Sequence, residues 1–283
     1  MEKQMPKSFS NNARLDTAVI PAGGLGTRLL PLTESTPKEL VKVHNQAMIQ
    51  YALNELVVAG ITKLIVISSP RKKQLDEFLN INNYDMEPSH DLSSTPELLS
   101  RFDIRVTHQN VQLGLGDAVL YAEPYVESDF FLLLLPDEIL IGDPNPSETL
   151  LENWNQKEAC YVSVQKVPSS QIANYGVVGL EAQNNVSEQG PWKVNQFVEK
   201  PQSDNAPSDM TLTGRYVLSK DIFSTIRATE AGKNGEIQLT DALQNRLGES
   251  DDFFAIPFPG KRFDAGSHDG IAKLSSYLSH LDS

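Results

Sequence analysis

Three glycines, an arginine and a lysine lie close together near the start of the sequence, within the stretch AVIPAGGLGTRLLPLTESTPKEL. Gly23, Gly24 and Gly26 carry no Cβ, so their backbone N–H groups can approach a phosphate closely. Arg28 could clamp a polyphosphate with its planar fork, and Lys38 could add a point charge. From these residues alone, a phosphate-binding loop and an ordinary glycine-rich turn with two surface cations are both open.

The glycine loop matches neither of the two common nucleotide-binding motifs. A dinucleotide fingerprint needs G-x-G-x-x-G at the start of a helix. Here Gly26 is followed by Thr27, Arg28 and Leu29, and Pro31 comes soon after. A Walker loop needs Gly-Lys followed by Ser or Thr, and the sequence contains no such triplet. If the loop binds phosphate, it belongs to another class of nucleotide site.

A carboxylate follows the most apolar run of the chain. The run FFLLLLP at 130–136 predicts a fully buried strand, and Asp137 comes directly after it. Mg²⁺ prefers oxygen ligands and is commonly held by one or two carboxylates together with substrate phosphates. A carboxylate at this strand end is therefore placed for a metal, although a turn cap would use the same residue. We expect Glu138 to face solvent or to hydrogen-bond the loop.

Two further pairs of residues could recognise organic groups. Gln109 has an amide that can pair with both a donor and an acceptor on a base edge. Gly114 follows it, and a residue this small would let a flat ring lie against backbone. Taken alone, Gln109 is more often a surface residue. Glu199 and Lys200 are adjacent at the end of an expected strand, before Pro201. They could contact a sugar and its phosphate, or form an exposed ion pair that contributes little to stability.

Composition limits the classes of function. The 283 residues carry a net charge of −13, which argues against general nucleic-acid binding because that needs basic surfaces. The single cysteine, Cys160, cannot form an internal disulfide, so we expect a buried thiol and a reducing compartment. The N-terminus lacks an apolar signal region, and no apolar run is long enough to span a bilayer. We therefore expect a cytoplasmic protein without nucleic-acid or membrane partners.

Short apolar runs alternate with helical patterns, which is typical of a layered α/β fold. Expected strands are TAVIPA, KLIVISS, DIRVTHQ and FFLLLLPDE, followed by the antiparallel EACYVSVQKV, YGVVGL, WKVNQFVEK and TLTGRYVLS, and then FFAIPF. Expected helices include QAMIQYALNELVVAG, whose apolar residues fall on one face, and KKQLDEFLN at 72–80. A further helix is expected with the glycine turn LGLGDAVLYA, and others near 221–227, near 236–247 and from about 270. Residues 80–101 are polar and broken by prolines, which indicates an insertion with a short helix.

The loop resembles the signature of the sugar-1-phosphate nucleotidyltransferases, G-x-G-T-R-x-x-P-x-T-x-x-x-P-K. Further segments, in order, are similar to the bacterial UTP–glucose-1-phosphate uridylyltransferase family. These segments are IQYALNELVVAGI, GLGDAVLYAEP, LLPDEIL, YGVV, FVEKP, GRYVLS and GEIQLTDAL. The resemblance runs from about Thr17 to Ser267, so it covers nearly the whole chain.

This resemblance implies a three-layer α/β/α fold with a Rossmann-like mixed central sheet of the nucleotidyltransferase type. One domain would span residues 1–283, with a nucleotide-binding half at about 15–140 and a sugar-phosphate-binding half at about 141–283 that includes the C-terminal helix. The implied reaction joins UTP and glucose 1-phosphate, assisted by Mg²⁺, and releases UDP-glucose and pyrophosphate. The implied assembly is a homodimer or a homotetramer.

The resemblance also implies roles for particular residues. The catalytic residues would be Arg28, Lys38 and Lys200, and the metal ligands would be Asp137 and Asp264. The nucleotide would be bound by Ala22, Gly23, Gly24, Gly26, Thr27, Gln109 and Gly114. The sugar would be bound by Gly176, Glu199 and Gly214. The nucleophile would be an oxygen of the sugar phosphate, which needs no general base. The five histidines accordingly show no H-x-x-H or H-E-x-x-H spacing.

The sequence departs from the family pattern in three places. Glu34 stands where a lysine is usual, KELVKV lacks a proline, and FDAGSHDGIAKL replaces the usual Cys-Gly-Ser-Lys-Leu-Gly-Tyr run. Two alternatives therefore stay open: an enzyme that uses another nucleotide or another hexose 1-phosphate, and a catalytically silent regulatory relative. The presence of Arg28, Lys38, Asp137 and Lys200 together weighs against silence, because a binding protein does not need all four.

Overall fold

The computed structural model describes residues 15–84, 94–154, 159–181, 190–232, 235–249 and 252–281. The N-terminal segment, on which the expectation about a signal region depends, lies outside these residues. The middle of the expected insertion, 85–93, also lies outside them. No helix in the described part of the chain is long and apolar enough to span a bilayer.

Nine strands form one mixed sheet within the described residues, in the order β5-β4-β1-β6-β11-β8-β12-β10-β9. Two short pairs lie outside it, β2 with β3 and β7 with β13. The strands are β1 Thr17–Pro21, β2 Lys42–Val43, β3 Gln46–Ala47, β4 Lys63–Ser68, β5 Asp103–His108, β6 Phe130–Leu134, β7 Glu138–Ile141, β8 Ala159–Lys166, β9 Gly176–Leu180, β10 Trp192–Glu199, β11 Met210–Ser219, β12 Asp252–Pro257 and β13 Lys261–Asp264. Strands β5, β4, β1 and β6 are parallel, and β11 pairs antiparallel with both β6 and β8.

Helices cover both faces of the sheet. They are α1 Met48–Val58, α2 Lys73–Leu79, α3 Thr95–Leu99, α4 Leu115–Leu120, α5 Pro146–Asn153, α6 Ile222–Ala228, α7 Leu239–Glu249 and α8 His268–Leu281. The first three and α5 pack into one core, and α4, α6 and α7 pack into the other. The C-terminal α8 packs on a third, smaller core beside β7 and β13. The expected three layers are confirmed.

Alternation along the central strands explains the two cores. In β1, Ala18 and Ile20 enter the core under α1, whereas Val19 enters the core under α4. In β6, Leu132 and Leu133 likewise enter opposite cores. Successive side chains of a strand point to opposite faces, so a strand covered on both sides must be apolar throughout. The apolar runs in the sequence follow from this burial.

Several boundaries differ from the sequence-based expectation. Strand β6 ends at Leu134, and Phe130 at its start is only partly buried, so the run 130–136 is not a fully buried strand. The helix expected at 236–247 begins later, at Leu239. Helix α5 and the β7–β13 pair were not predicted, because α5 is mostly polar and each of the two strands is only four residues long. A capping box at Asn145 and Glu148 is the signal that could have revealed α5.

Candidate active site

An open cavity of about 1180 Å³ lies where the parallel strands end. The glycine loop follows β1, Gln109 follows β5 and Asp137 follows β6, so three carboxyl ends of the sheet meet there. Ligands of open α/β sheets bind at this edge. All the predicted site residues except Ala22 and Gly26 line the cavity.

Ala22 and Gly26 shape the glycine loop from outside the cavity. The N–H of Ala22 donates to the Ile67 carbonyl at 2.7 Å, and its own carbonyl accepts from Lys72 Nζ at 2.6 Å. Both backbone groups of Ala22 are therefore used within the protein, and its role in nucleotide binding stays a prediction. Gly26 has a φ of 70°, and its carbonyl accepts a hydrogen bond from the Thr33 hydroxyl. A left-handed residue favours glycine at this turn.

Gly23 and Gly24 present bare backbone for different reasons. A Cβ on Gly24 would meet only Lys38 Nζ, at 3.9 Å, so the space beside it is open to the cavity. A Cβ on Gly23 would lie 2.8 Å from Gln109 Oε1. The missing side chain of Gly23 thus lets Gln109 approach the loop, while that of Gly24 leaves room for a ligand.

Two cations and two carboxylates form a cluster at the mouth of the loop. Lys38 Nζ lies 2.8 Å from Asp137 Oδ2, and Arg28 Nη1 lies 3.2 Å from Asp264 Oδ2. Arg28 Nη2 also lies 4.0 Å from Asp137. Lys38 and both carboxylates are largely enclosed, whereas the side chain of Arg28 is 64% exposed. Arg28 can therefore turn toward an incoming anion.

Burial and charge compete within this cluster. Burial opposes the ammonium of Lys38, but the carboxylates of Asp137 and Glu39 together outweigh it and the pKa of Lys38 is raised. Burial likewise favours the neutral form of Asp137, but Lys38 outweighs it and the pKa of Asp137 is lowered. Both groups are charged at neutral pH, since each stabilises the charged form of the other.

The two carboxylates fit a magnesium ion. A Cβ on Gly266 would lie 3.0 Å from Asp137 Oδ2 and 3.0 Å from Asp264 Oδ1, so these oxygens border the same small space. Asp264 is the last residue of β13, and the N–H of Ala265 donates to the Asp137 carbonyl at 2.8 Å, which fixes the two segments together. Hard oxygen donors of this number suit Mg²⁺ that keeps water and phosphate ligands.

Gln109 is 3% exposed and not the surface residue that its type alone suggests. Its backbone N–H donates to the Ser68 carbonyl at 2.9 Å. Its side-chain Nε2 donates to Asp117 Oδ2 at 2.8 Å and to the Gly114 carbonyl at 3.2 Å. The amide is therefore held rigidly at the wall of the cavity.

Gly114 has a different reason for being glycine than the sequence suggested. The expected reason was that a flat ring could lie against its backbone. Its φ is 105°, and a Cβ would lie 2.5 Å from the Ile237 carbonyl oxygen and 3.1 Å from Glu236 Cβ. Because Gly114 has no side chain, the loop that leads into α4 can pack against residues 236–237.

Glu199 and Lys200 line the same cavity, at and just after the end of β10. Strand β10 ends at Glu199, and Lys200 has a φ of 45°, so the chain turns there as expected. Lys200 Nζ lies 2.9 Å from Glu199 Oε1, and the Thr240 hydroxyl donates to Glu199 Oε2 at 2.7 Å. The carboxylate is held on both oxygens, while the side chain of Lys200 is 57% exposed.

Gly176 and Gly214 also line the cavity. A Cβ on Gly176 would lie 3.3 Å from Glu199 Oε2 and 3.0 Å from the Thr240 hydroxyl, so glycine keeps that carboxylate in place. Gly214 has a φ of 79° and lies within an irregularity of β11 opposite β8. Bulges of this kind often occur beside active sites, where they redirect neighbouring residues.

Sequence reasoning misplaced Glu138 and missed its partners. Glu138 is almost buried and accepts two hydrogen bonds of 2.8 Å from Arg262, so it neither faces solvent nor binds the loop. Arg262 also lies 3.9 Å from the ring centre of Tyr175. Burial raises the pKa of Glu138, although Arg262 opposes the shift. The β7–β13 pairing creates this contact, and no local signal reports it.

The comparisons with known proteins agree with the geometry. A family model for nucleotidyl transferases matches residues 17–280. UTP–glucose-1-phosphate uridylyltransferase 2 of Streptococcus pyogenes is 34% identical over 91% of this chain and 88% of its own length. UTP–glucose-1-phosphate uridylyltransferase of Mycoplasma pneumoniae is 34% identical over 93% of this chain and 92% of its own. A solved structure of UDP-glucose pyrophosphorylase complexed with UDP-glucose shares the fold, with a TM-score of 0.85 and 29% sequence identity. The match covers 94% of this chain and 99% of that chain.

Proposed function

This chain belongs to the nucleotidyl transferase family and is related to the UTP–glucose-1-phosphate uridylyltransferases, and on that premise we propose that it makes UDP-glucose. The reaction takes UTP and α-D-glucose 1-phosphate and releases pyrophosphate. One observation carries the proposal: a single cavity joins a rigid amide at Gln109, the glycine loop with its cations, two carboxylates, and the pair Glu199 and Lys200.

The chemistry needs no general base. A phosphate monoester has a second pKa of about 6, so at neutral pH its oxygens are mostly deprotonated and nucleophilic. One of them attacks the α-phosphorus of UTP in line. The bond from that phosphorus to the bridging oxygen breaks, and pyrophosphate leaves with the electron pair. Catalysis then consists of holding two anions together and stabilising the charge that moves to the leaving group.

The residues around the glycine loop would hold the nucleotide. We assign the triphosphate to the backbone of Gly23 and Gly24 and to Arg28, because that loop is open to the cavity and Arg28 is exposed. Thr27 lines the same wall. Lys38 would support the phosphates from below the loop.

The residues around Glu199 and Lys200 would hold the sugar phosphate. Lys200 is exposed enough to reach the phosphate and to hold the nucleophilic oxygen in line. Glu199, whose carboxylate is fixed by Thr240, would accept hydrogen bonds from sugar hydroxyls. Gly176 and Gly214 leave backbone accessible there. On this assignment, residues 15–140 bind the nucleotide and residues 141–283 bind the sugar phosphate.

Asp137 and Asp264 would hold Mg²⁺ as the cofactor. When bound, the ion would neutralise charge on the reacting phosphates, which repel each other. The chain's own contribution is to fix the two carboxylates by the Ala265–Asp137 hydrogen bond and to keep the space between them free at Gly266.

Pyrophosphate release by the purified protein with Mg²⁺ tests the proposal. UTP, dTTP, CTP, ATP and GTP would each be combined with the 1-phosphates of glucose, galactose and N-acetylglucosamine. The proposal requires that UTP with glucose 1-phosphate be the best pair. A better rate with another pair would keep the chemistry and change the substrates. Absence of release with every pair, from folded protein that binds UDP-glucose, would indicate a silent relative.

Two properties of the molecule in the cell belong to the same proposal. We propose a cytoplasmic enzyme, because its lone cysteine is buried in β8 and suits a reducing compartment. We also propose a homodimer or homotetramer, as the family resemblance implies. Light scattering on the purified protein measures the second directly, and a monomeric mass would refute it.

A further inference from the structure

The orientation of the Gln109 amide is set by two acceptors. Nε2 donates to Asp117 Oδ2 at 2.8 Å and to the Gly114 carbonyl at 3.2 Å. A carboxylate and a carbonyl can only accept, so the reversed amide would place its oxygen against two other oxygens. Assignment of an amide depends on its hydrogen-bond network, and this network permits one orientation.

The segment that carries Asp117 is itself fixed. The N–H of Gly116 donates to the Ile237 carbonyl at 2.9 Å, and the N–H of Ile237 donates to the Leu113 carbonyl at 2.7 Å. Gly114 packs directly on the same backbone. Asp117 therefore cannot move away from Gln109 without disturbing the two hydrogen bonds that join residues 113–116 to Ile237.

The other end of the amide faces the cavity. Gln109 Oε1 lies against Gly23, at 2.8 Å from where a Cβ would be, and no donor among the described residues bonds to it. Gln109 lines the cavity. The cavity thus presents a fixed hydrogen-bond acceptor beside the glycine loop, and a ligand group that meets it must be a donor.

We propose that Asp117 is a specificity-determining residue, which selects uracil over cytosine by holding the Gln109 oxygen toward the base. Uracil carries an N–H at ring position 3, whereas cytosine carries an unprotonated nitrogen there. The Gln109 oxygen would accept a hydrogen bond from the N–H of uracil, and it would be repelled by the lone pair on the corresponding nitrogen of cytosine. The inference rests on the proposed function, since it names how that site reads its nucleotide.

A purely structural role for Asp117 would have a different signature. Asp117 lies in the first turn of α4, where a carboxylate also interacts favourably with the helix dipole. Loss of that interaction would weaken binding of every nucleotide equally. Only loss of the amide orientation changes the ratio between two pyrimidine nucleotides.

Binding of UTP and CTP to Asp117→Asn and to the wild type, measured by calorimetry, separates the two roles. The new amide in this variant can donate to Gln109 as well as accept from it, so only the longer, 3.2 Å bond to the Gly114 carbonyl would still favour the original orientation of Gln109. We expect the ratio of UTP to CTP affinity to fall about tenfold, as for loss of a charge-assisted hydrogen bond. A ratio unchanged from wild type would overturn the proposal. Asp129→Asn is the matched control, because Asp129 is 81% exposed and pairs with Lys220 instead.

A second measurement uses only the wild-type protein. UTP methylated at ring nitrogen 3 lacks the donor, so we expect it to bind about tenfold more weakly than UTP or worse. Equal binding would refute the contact with Gln109 even if every variant failed to fold. Failure of the proposed function is a separate result, because absence of pyrophosphate release from UTP leaves these binding ratios measurable.

Discussion

Lys38 Nζ and Asp137 Oδ2 lie 2.8 Å apart, so the lysine expected to support phosphates neutralises the carboxylate expected to bind metal. Each of the two enclosed charges therefore has a partner of opposite sign. An enclosed charge without such a partner would be strongly unfavourable. On the proposed function, a bound phosphate would replace the Asp137 carboxylate beside Lys38, and a bound metal ion would replace the Lys38 ammonium beside Asp137. The pair therefore keeps the free site charged and ordered until its substrates arrive.

The substitution Lys38→Met should make the protein unusually responsive to Mg²⁺. Removal of the ammonium leaves Asp137 enclosed without its close partner, and a bound cation would replace the missing charge. We expect Mg²⁺ to raise the melting temperature of this variant more than that of the wild type. Scanning calorimetry with and without Mg²⁺ measures the difference. Lys220→Met, which removes an exposed partner of Asp129, is the control, and equal Mg²⁺ shifts in all three proteins would contradict the prediction.

A methyl group at position 266 should damage the site while leaving the fold intact. In Gly266→Ala the new Cβ would lie 2.7 Å from Arg28 Nη2 and 3.0 Å from oxygens of Asp137 and Asp264. Arg28 is exposed and can move aside, so we expect little change in stability but at least about a tenfold loss of turnover. Gly248→Ala is the matched control, since no atom lies within 4 Å of its Cβ position. Normal turnover of Gly266→Ala would show that this space is not used.

Arg28→Ala and Lys200→Ala should both lower turnover by about a hundredfold or more, through different substrates. On the proposed assignment Arg28, which follows the glycine loop, holds UTP and Lys200, which follows β10, holds the sugar phosphate. The first variant should therefore raise the KM for UTP and the second the KM for glucose 1-phosphate. Both side chains are exposed, and circular dichroism should show an unchanged fold. Steady-state kinetics with each substrate varied in turn measures kcat and both KM values. A near wild-type rate for either variant would contradict a catalytic role of the residue that it lacks.

Local sequence patterns predicted the parts of the molecule that depend on neighbours in the chain. The apolar face of α1, a strand within 130–136 and the turn after Glu199 are local, and each is present, although the strand ends at Leu134 and is not fully buried. The contact between Glu138 and Arg262 joins two short strands far apart in the sequence, so hydrophobic periodicity could not reveal it.

The glycines show the same limit. Their positions suggested bare backbone for ligands, and Gly24 fits that reason. Gly114 is glycine because Ile237 and Glu236, from another part of the chain, occupy the space of its side chain. Residue type identifies where a side chain is not tolerated, but only the fold shows which neighbour excludes it.

A buried ion pair beneath the loop gives the last prediction. Lys72 Nζ lies 2.8 and 2.9 Å from the two carboxylate oxygens of Glu39 and 2.6 Å from the Ala22 carbonyl oxygen. Burial lowers the pKa of Lys72, although Glu39 opposes the shift. Glu39 is next to Lys38, so the pair connects the start of the glycine loop to the residue behind the phosphate site.

Glu39→Leu should destabilise the protein by about 3–5 kcal/mol, because Lys72 would lose its counter-charge in a buried place. Adding Lys72→Met should restore much of that stability, since two apolar groups can replace a buried ion pair. Urea denaturation measures both free energies of unfolding. The double variant still lacks the hydrogen bond to Ala22, so we expect its kcat/KM for UTP to stay low although its stability recovers. Recovery of both would show that Lys72 stabilises the fold without positioning the loop.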